Sequence, residues 1–340
     1  MHRNYARMGA QECVLLRNKE QDMINRTLVR AKVIQTLFAY YKDEESTPLT
    51  AKKALLKSFD NTYNLYLLLL DFVNEMTTLY EELEERELER ASVLHITHHP
   101  QRNFINNLFA QQIFNNRQLR GYLKERDLSW DVAHESLHLL FKQIIGAEFF
   151  AEYQAIPHPT YADDKQVWRH IFTDVLADNA ELEAALDELE VALDGNGWAV
   201  DANVVISYVI KTIKRFTEDS SKDQSLLEMF DKEEELTFAK ELLQKAIEGR
   251  DEYLELIEKH LQNWDLTRIA YMDIIILQTA LAEIIEFPSI ALQVSINEYL
   301  ELAKEYSTEK SSSFVNGMLV SIIDDLKAEN RLVKAVAIES

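Results

Sequence analysis

The sequence predicts an all-α protein: a helical-bundle core with a large additional helical region. Three observations lead there. Gly and Pro number only 7 and 5 in 340 residues, so there are few breakers of long helices. Leu, Ala, Glu, Lys and Gln, all strong helix formers, fill long stretches. Alternating β-branched runs closed by Asn-Gly or Asp-Gly turns, the usual hairpin signal, are nearly absent.

The elements follow in order from their stop signals. A first helix starts near Asn25, an N-cap residue type, and runs "RTLVRAKVIQTLFAYY" to Tyr41. It ends in the polar, Pro-bearing turn Asp43 to Pro48. Helices are predicted over roughly 50–92, 102–126, 130–154, 164–193 and 200–216, separated by "THHPQ", "IPHPTYADD", "DGNG" and "TEDSSKDQS". A tidier series follows near 232–247, 250–262, 266–285, 291–305 and 309–328. Short links between successive helices read as bundles. Tyr63 to Leu88, Val167 to Leu193 and Leu236 to Leu261 share a loose pattern of an apolar block and a Leu-Glu tail, which reads either as duplication of a helical unit or, more simply, as the shared composition of acidic amphipathic helices.

Composition narrows the function classes. A single cysteine, Cys13, excludes an intrachain disulfide framework and a Cys-rich zinc site, and fits a reducing cytoplasm. No leader pattern opens the chain. The longest greasy run, "LYLLLLDFV" from Leu65 to Val73, is too short to cross a bilayer. The net charge of −22 weighs against nucleic acid. The first 42 residues nevertheless hold Arg3, Arg7, Arg17, Lys19, Arg26, Arg30, Lys32 and Lys42 against Glu12, Glu20 and Asp22. That end is either a solvated terminus or a basic patch. Met23 opens "MINRTL" directly before the first helix, which makes residues 1–22 a basic extension and a candidate over-called start.

Two helix starts carry misfits. In the first helix Arg26 and Arg30 lie on the apolar stripe of Val33, Leu37 and Tyr41. They either pair with carboxylates of a neighbouring helix or project past the core toward an anion. In the last helices Ile296, Tyr299, Leu300 and Ala303 share one face, and Val315, Leu319, Ile322 and Leu326 form the next core stripe. Ser307 or Thr308 is the expected N-cap. Phe314 and Asn316 flank the second stripe, and Gly317 points away from it. Helix N-termini favour phosphate and a border aromatic can stack on a base. A satellite hydrophobe with a helix–helix contact at Gly317 is the plainer alternative.

"WDLTRIAYMDIIILQTALAEI", "VSINEYLELAKEY" and "FVNGML" resemble the C-terminal half of the NusB family of bacterial antitermination factors. The matching residues are Trp264, Leu266, Arg268, Ile269, Asp273 and Glu283, then Ile296, Asn297, Glu298, Glu301, Leu302, Ala303 and Lys304, then Phe314, Val315, Asn316 and Gly317. "RTLVRAKVIQTLFAYY" resembles the family's arginine-bearing first helix. The likeness covers roughly 23–42 and 230–328. It implies a non-catalytic, cytoplasmic helical protein that binds the boxA element of nascent RNA together with the ribosomal protein NusE, and through these acts indirectly on the RNA polymerase elongation complex, with no cofactor and no membrane. Arg26 and Arg30 become a basic clamp, Lys310 and Ser311 phosphate contacts, and Phe314 and Asn316 RNA-rim residues. Asp273, Asn297 and Glu301 become partner contacts. Ile274 and Gln278 stand where the family often has Arg or Lys, Ala291 replaces a usual Pro, and Lys310 replaces a commonly acidic residue. The implied organisation is an extension 1–22, the first core helix 23–42, a helical insertion 43–225, a C-terminal bundle 226–330 and a tail 331–340.

Rival patterns are present. "HESLH" at His134 to His138 is a literal H-E-x-x-H zinc-hydrolase pattern, with Glu148 or Glu152 as the only offered third ligand. "HITHHPQR" at His95 to Arg102 reads as an exposed turn that could take a metal. A protein-interaction scaffold without RNA binding is the broader alternative. An RNA methyltransferase carrying a NusB-like module would need a Gly-rich strand–helix unit, which is missing.

Overall fold

The computed structural model describes residues 26–193, 195, 197–230, 233–261, 269–308 and 310–332. The extension 1–22, the Asn25 cap, Trp264, Leu266 and Arg268 of the first motif, and most of the tail lie outside the described residues. Within them the chain is helical and has no β-strand. The helices are α1 Arg26–Lys42, α2 Pro48–Leu94, α3 Leu108–Phe114, α4 Arg117–Arg126, α5 His134–Gly146, α6 Glu148–Ala155 and α7 Tyr161–His170. A π-helical segment, Ile171–Leu176, continues α7. Then come α8 Ala180–Leu193, α9 Trp198–Arg215, α10 Glu233–Glu248, α11 Arg250–His260, α12 Tyr271–Glu286, α13 Leu292–Tyr306 and α14 Ser311–Ala328. Among the described residues no helix is long and apolar enough to cross a membrane.

Asparagine splits helices that apolar periodicity alone runs together. The expected helix over 102–126 is two, because Asn107 caps α3 through the Ala110 N–H at 2.9 Å and Asn116 caps α4 through the Leu119 N–H at 2.9 Å. A side-chain acceptor at these positions competes with the backbone ladder and restarts the helix. Asn179 does the same for α8, accepting from the Glu181 N–H at 2.8 Å. Pro48 opens α2 at the position where its missing N–H costs nothing.

The chain divides into two compact units, Asp60–Met229 and Ile24–Phe59 with Phe230–Ser340. In the first, α2 is the axis. Leu65 to Leu70, Phe72 and Val73 are fully buried, and a helix apolar on every side has to lie inside. Its polar atoms are tied in: Thr62 donates to Asp201 at 2.7 Å, Tyr66 bonds Thr212 at 2.7 Å, and the Trp130 and Trp198 indoles donate to the Leu68 and Asn61 carbonyls.

In the second unit the central helix is α12, which packs on α1, α10, α11, α13 and α14. Residues Ile275 to Ile284 are buried without a break, Gln278, Thr279 and Glu283 included. The α14 stripe of Val315, Leu319, Ile322 and Leu326 is buried as the periodicity predicts. On α13 the buried line is Ser295, Tyr299, Leu302 and Ala303, while Ile296 and Leu300 are half-buried. The face is turned because Ser295 and Tyr299 both reach Glu283 of α12. α14 starts at Ser311, with Lys310 at the cap position and no side-chain cap.

Candidate nucleic-acid interface

Residues Leu28 to Ile34 of α1 are all buried, so this helix is enclosed on every side over nearly two turns. Arg30 is 1% exposed and Glu283 0%. The Arg30 Nε donates to Glu283 Oε2 at 2.7 Å and its Nη2 to Oε1 at 2.8 Å, with Glu298 at 3.4 Å from Nη1. Ser295 and Tyr299 donate to the same carboxylate at 2.7 and 3.1 Å. Burial works to lower the Arg30 pKa, but the hydrogen bond to Glu283 and the surrounding negative charges outweigh it and hold the group charged above its ordinary value. This overturns the expectation that Arg30 clamps RNA. Both members of this two-pronged arginine–carboxylate pair are desolvated, so the guanidinium is closed off from a phosphate outside.

Arg26 is placed differently, at an acidic corner of the surface. It is exposed, yet its Nε sits 3.3 Å from Glu235, and its guanidinium lies 5.2 Å from the Phe238 ring. It lines a cavity of about 440 Å³ whose other walls include Glu233, Glu234 and Glu241. Glutamates in the first turn of α10 complement the helix dipole and make this corner acidic.

At the start of α14, Ser311 is 1% exposed and donates to Asp273 Oδ2 at 2.9 Å. Its hydroxyl also bonds Ser307 at 3.0 Å and Thr308 at 2.8 Å. Asp273 is 5% exposed. Ser311 as a phosphate contact and Asp273 as a surface partner contact are therefore corrected: the two meet inside the unit and lock the first turn of α14 to the first turn of α12. Lys310, Asn316 and Gly317 are exposed and Phe314 is half-buried. A Cβ built at Gly317 meets nothing within 4 Å, so this glycine does not serve a close helix–helix contact. Asn297 and Glu301 are exposed on the outer side of α13, bonded to Gln293 and Lys304 of their own helix.

Arg30 of the expected clamp and Ser311, an expected phosphate contact, are not brought together. Arg30 binds Glu283 and Ser311 binds Asp273, ten residues apart on α12, or about 15 Å along its axis. What does converge on the first turn of α12 was missed in the sequence. Tyr271 stands edge-on to Phe38 at 5.6 Å, and the Lys42 ammonium lies 4.8 Å from the Tyr271 ring and 5.7 Å from that of Phe38. Beside them in the chain, Tyr40 and Tyr41 are in contact at 5.0 Å, and Arg250 lies 4.6 Å from the Tyr41 ring. Gln278 is buried and donates to the Tyr41 hydroxyl at 2.6 Å and the Ala246 carbonyl at 2.7 Å. Burial raises the Tyr41 pKa, and the amide orients the ring. Lys42 and Arg250 are exposed and the four aromatics half-buried. The signal was the i, i+4 pair Phe38 and Lys42 on one helix face; its partner Tyr271 is too distant in sequence for periodicity to connect.

Comparison with known proteins bears mainly on the C-terminal part of this unit. The NusB family model matches residues 204–324. The transcription antitermination protein NusB of Bacillus licheniformis is 36% identical over 109 residues, which cover 32% of this chain and 84% of that protein. The chain belongs to the NusB family. The NusB proteins of Salinibacter ruber and Finegoldia magna are 40% and 45% identical over 97 and 89 residues, or 28% and 26% of this chain. These matches span 61% and 65% of the two relatives, under two thirds of either. No solved structure matches the chain.

The rival patterns gain no geometry. Among the described residues no group of three His, Cys, Asp or Glu side chains is arranged to hold a metal ion. His134, Glu135 and His138 are exposed on α5, and His98 bonds Glu84 at 2.9 Å while His95 and His99 face solvent.

Proposed function

We propose that this chain is a non-catalytic, cytoplasmic RNA-binding factor of transcription antitermination, recognising boxA-like single-stranded RNA jointly with the ribosomal protein NusE and promoting rRNA operon transcription. Membership of the NusB family supports the class. The structural observation that carries the binding mode is the set of exposed cations lying over half-buried rings: Lys42 over Tyr271 and Phe38, and Arg250 over Tyr41. Rings backed by the protein and edged by cations suit unpaired bases with their phosphates alongside. Lys310, Phe314 and Asn316, carried by the helix that Asp273 fastens to the same turn of α12, extend the RNA surface. Arg30 and Ser311 support it from inside, and Arg26 is peripheral.

Asn297 and Glu301 are the proposed NusE contacts, and the elongation complex is reached through NusE and RNA. Residues 43–225 are, in this proposal, largely an insertion into the family core, whose family match begins at residue 204.

Fluorescence anisotropy with a labelled boxA-like RNA, with and without purified NusE, tests the proposal. NusE should tighten binding, and Lys42→Ala and Phe314→Ala should each weaken it without lowering thermal stability. Equal affinity of wild type and both variants would remove the proposed surface.

A further inference from the structure

The H-E-x-x-H stretch lies on an exposed face of α5. Glu135, His138, Lys142 and Ile145 recur at helical spacing on the outer face of α5, with Leu139 beside them. Together with Leu83 and Arg86 of α2 they line a groove of about 620 Å³. Its apolar surface comes from Leu83, Leu139, Phe141 and Ile145. Leu139 is 42% exposed, an apolar side chain left in water at the centre of the α5 face.

The charge of the lining is opposite to that of the chain. In a protein of net charge −22, the groove is edged by the cations of Arg86 and Lys142 against the single carboxylate of Glu135. Arg86 donates to the Glu82 backbone carbonyl at 3.2 Å. Among the described residues neither Arg86 nor Lys142 pairs with a carboxylate, although α2 carries glutamates on either side of Arg86. Ammonium and guanidinium groups on long apolar stems, flanking an apolar floor, match a helix whose apolar stripe fits the groove and whose flanks are acidic.

We propose that this groove is the docking site for an acidic amphipathic helix of a partner protein, seated with leucine-class side chains between α2 and α5 and its carboxylates on Arg86 and Lys142. The proposal stands apart from RNA binding, because every lining residue belongs to the unit Asp60–Met229.

The test uses the full chain and a labelled, stapled acidic peptide with leucines at i, i+3, i+4 and i+7, titrated by anisotropy against a scrambled peptide of the same composition. Leu139→Asp, and separately the pair Arg86→Glu and Lys142→Glu, should each weaken the patterned peptide roughly tenfold or more. Circular dichroism and Tm should stay unchanged, since the altered side chains are exposed. The proposal is overturned if the scrambled peptide binds equally, or if Leu139→Asp leaves affinity intact. It is also overturned if boxA-like RNA displaces the peptide, or if Leu139→Asp abolishes self-association seen by sedimentation, which would make a second copy the occupant.

Discussion

Arg30 of α1 and Glu283 of α12 close on each other through two parallel hydrogen bonds of 2.7 and 2.8 Å, both side chains being shut away from solvent. The carboxylate also takes the Ser295 and Tyr299 hydroxyls of α13, so three helices share one buried charge pair. Truncating Arg30 takes the compensating charge away from a carboxylate shut off from water. Arg30→Ala should therefore cost about 3–5 kcal/mol of stability, read as a large fall in Tm. Arg30→Lys, which keeps the charge but cannot supply the fork, should fall between. An Arg30→Ala protein that melts like wild type and binds RNA poorly would reverse the assignment.

This pair also shows where sequence reasoning stopped. A helical wheel puts Arg30 on the stripe of Val33 and Leu37, and left open whether the stripe met a carboxylate or ended in water. The deciding fact is that α1 is enclosed from Leu28 to Ile34, which depends on helices more than two hundred residues away. The all-α class and the Val315–Leu326 stripe were legible because they follow from local periodicity. Breaks at Asn107 and Asn116 were not, because each depends on one capping hydrogen bond within a continuous apolar pattern. Of the candidate RNA residues, Lys310, Asn316 and Phe314 lie where a ligand can reach, whereas Ser311 is drawn inward by Asp273, a partner that spacing does not reveal.

Lys42, Arg250 and Lys310 are exposed cations beside α12 and the start of α14. If about three phosphates are neutralised, log K for a single strand should fall with log salt at a slope of about −2. Lys42→Ala should make that slope shallower by about 0.7. Tyr271→Ala should instead cost about 1–3 kcal/mol of RNA affinity through lost stacking, with the slope unchanged. Salt titrations of the two variants separate the charge from the ring.

Arg26→Ala should leave RNA affinity within about twofold, or roughly 0.4 kcal/mol. Its charge is already offset by Glu235 and flanked by Glu233, Glu234 and Glu241. An exposed pair of this kind contributes about 0–1 kcal/mol to stability, so Tm should barely move. A tenfold loss of RNA affinity would return Arg26 to the interface.

Gly317→Ala distinguishes a bystander from a surface kept open. An added methyl meets nothing within 4 Å, and alanine in mid-helix is favoured over glycine by about 0.5–1 kcal/mol. The variant should be more stable by that amount. If RNA approaches the α14 face beside Phe314, the same methyl should weaken binding. Greater stability with unaltered affinity would place the RNA elsewhere on the unit.

Glu75 on α2 provides a pH test of the other unit. Burial, and then the charges of Asp71, Asp131 and Glu82, push its carboxyl up to about 7. Below the unfolded-state value of about 4.3 the group is protonated folded or unfolded and contributes nothing. Between there and about 7 the unfolded chain has lost the proton while the folded chain keeps it, so stability falls as pH rises. The loss is complete above that window. At full strength the shift corresponds to about 4 kcal/mol, which partial exposure screens to about 1 kcal/mol. Glu75→Gln should thus stabilise the protein by about 1 kcal/mol at pH 8 and by almost nothing at pH 4, measured by denaturant unfolding at both. Equal effects at the two pH values would show that the gain comes from packing, and that the carboxyl titrates in its ordinary range.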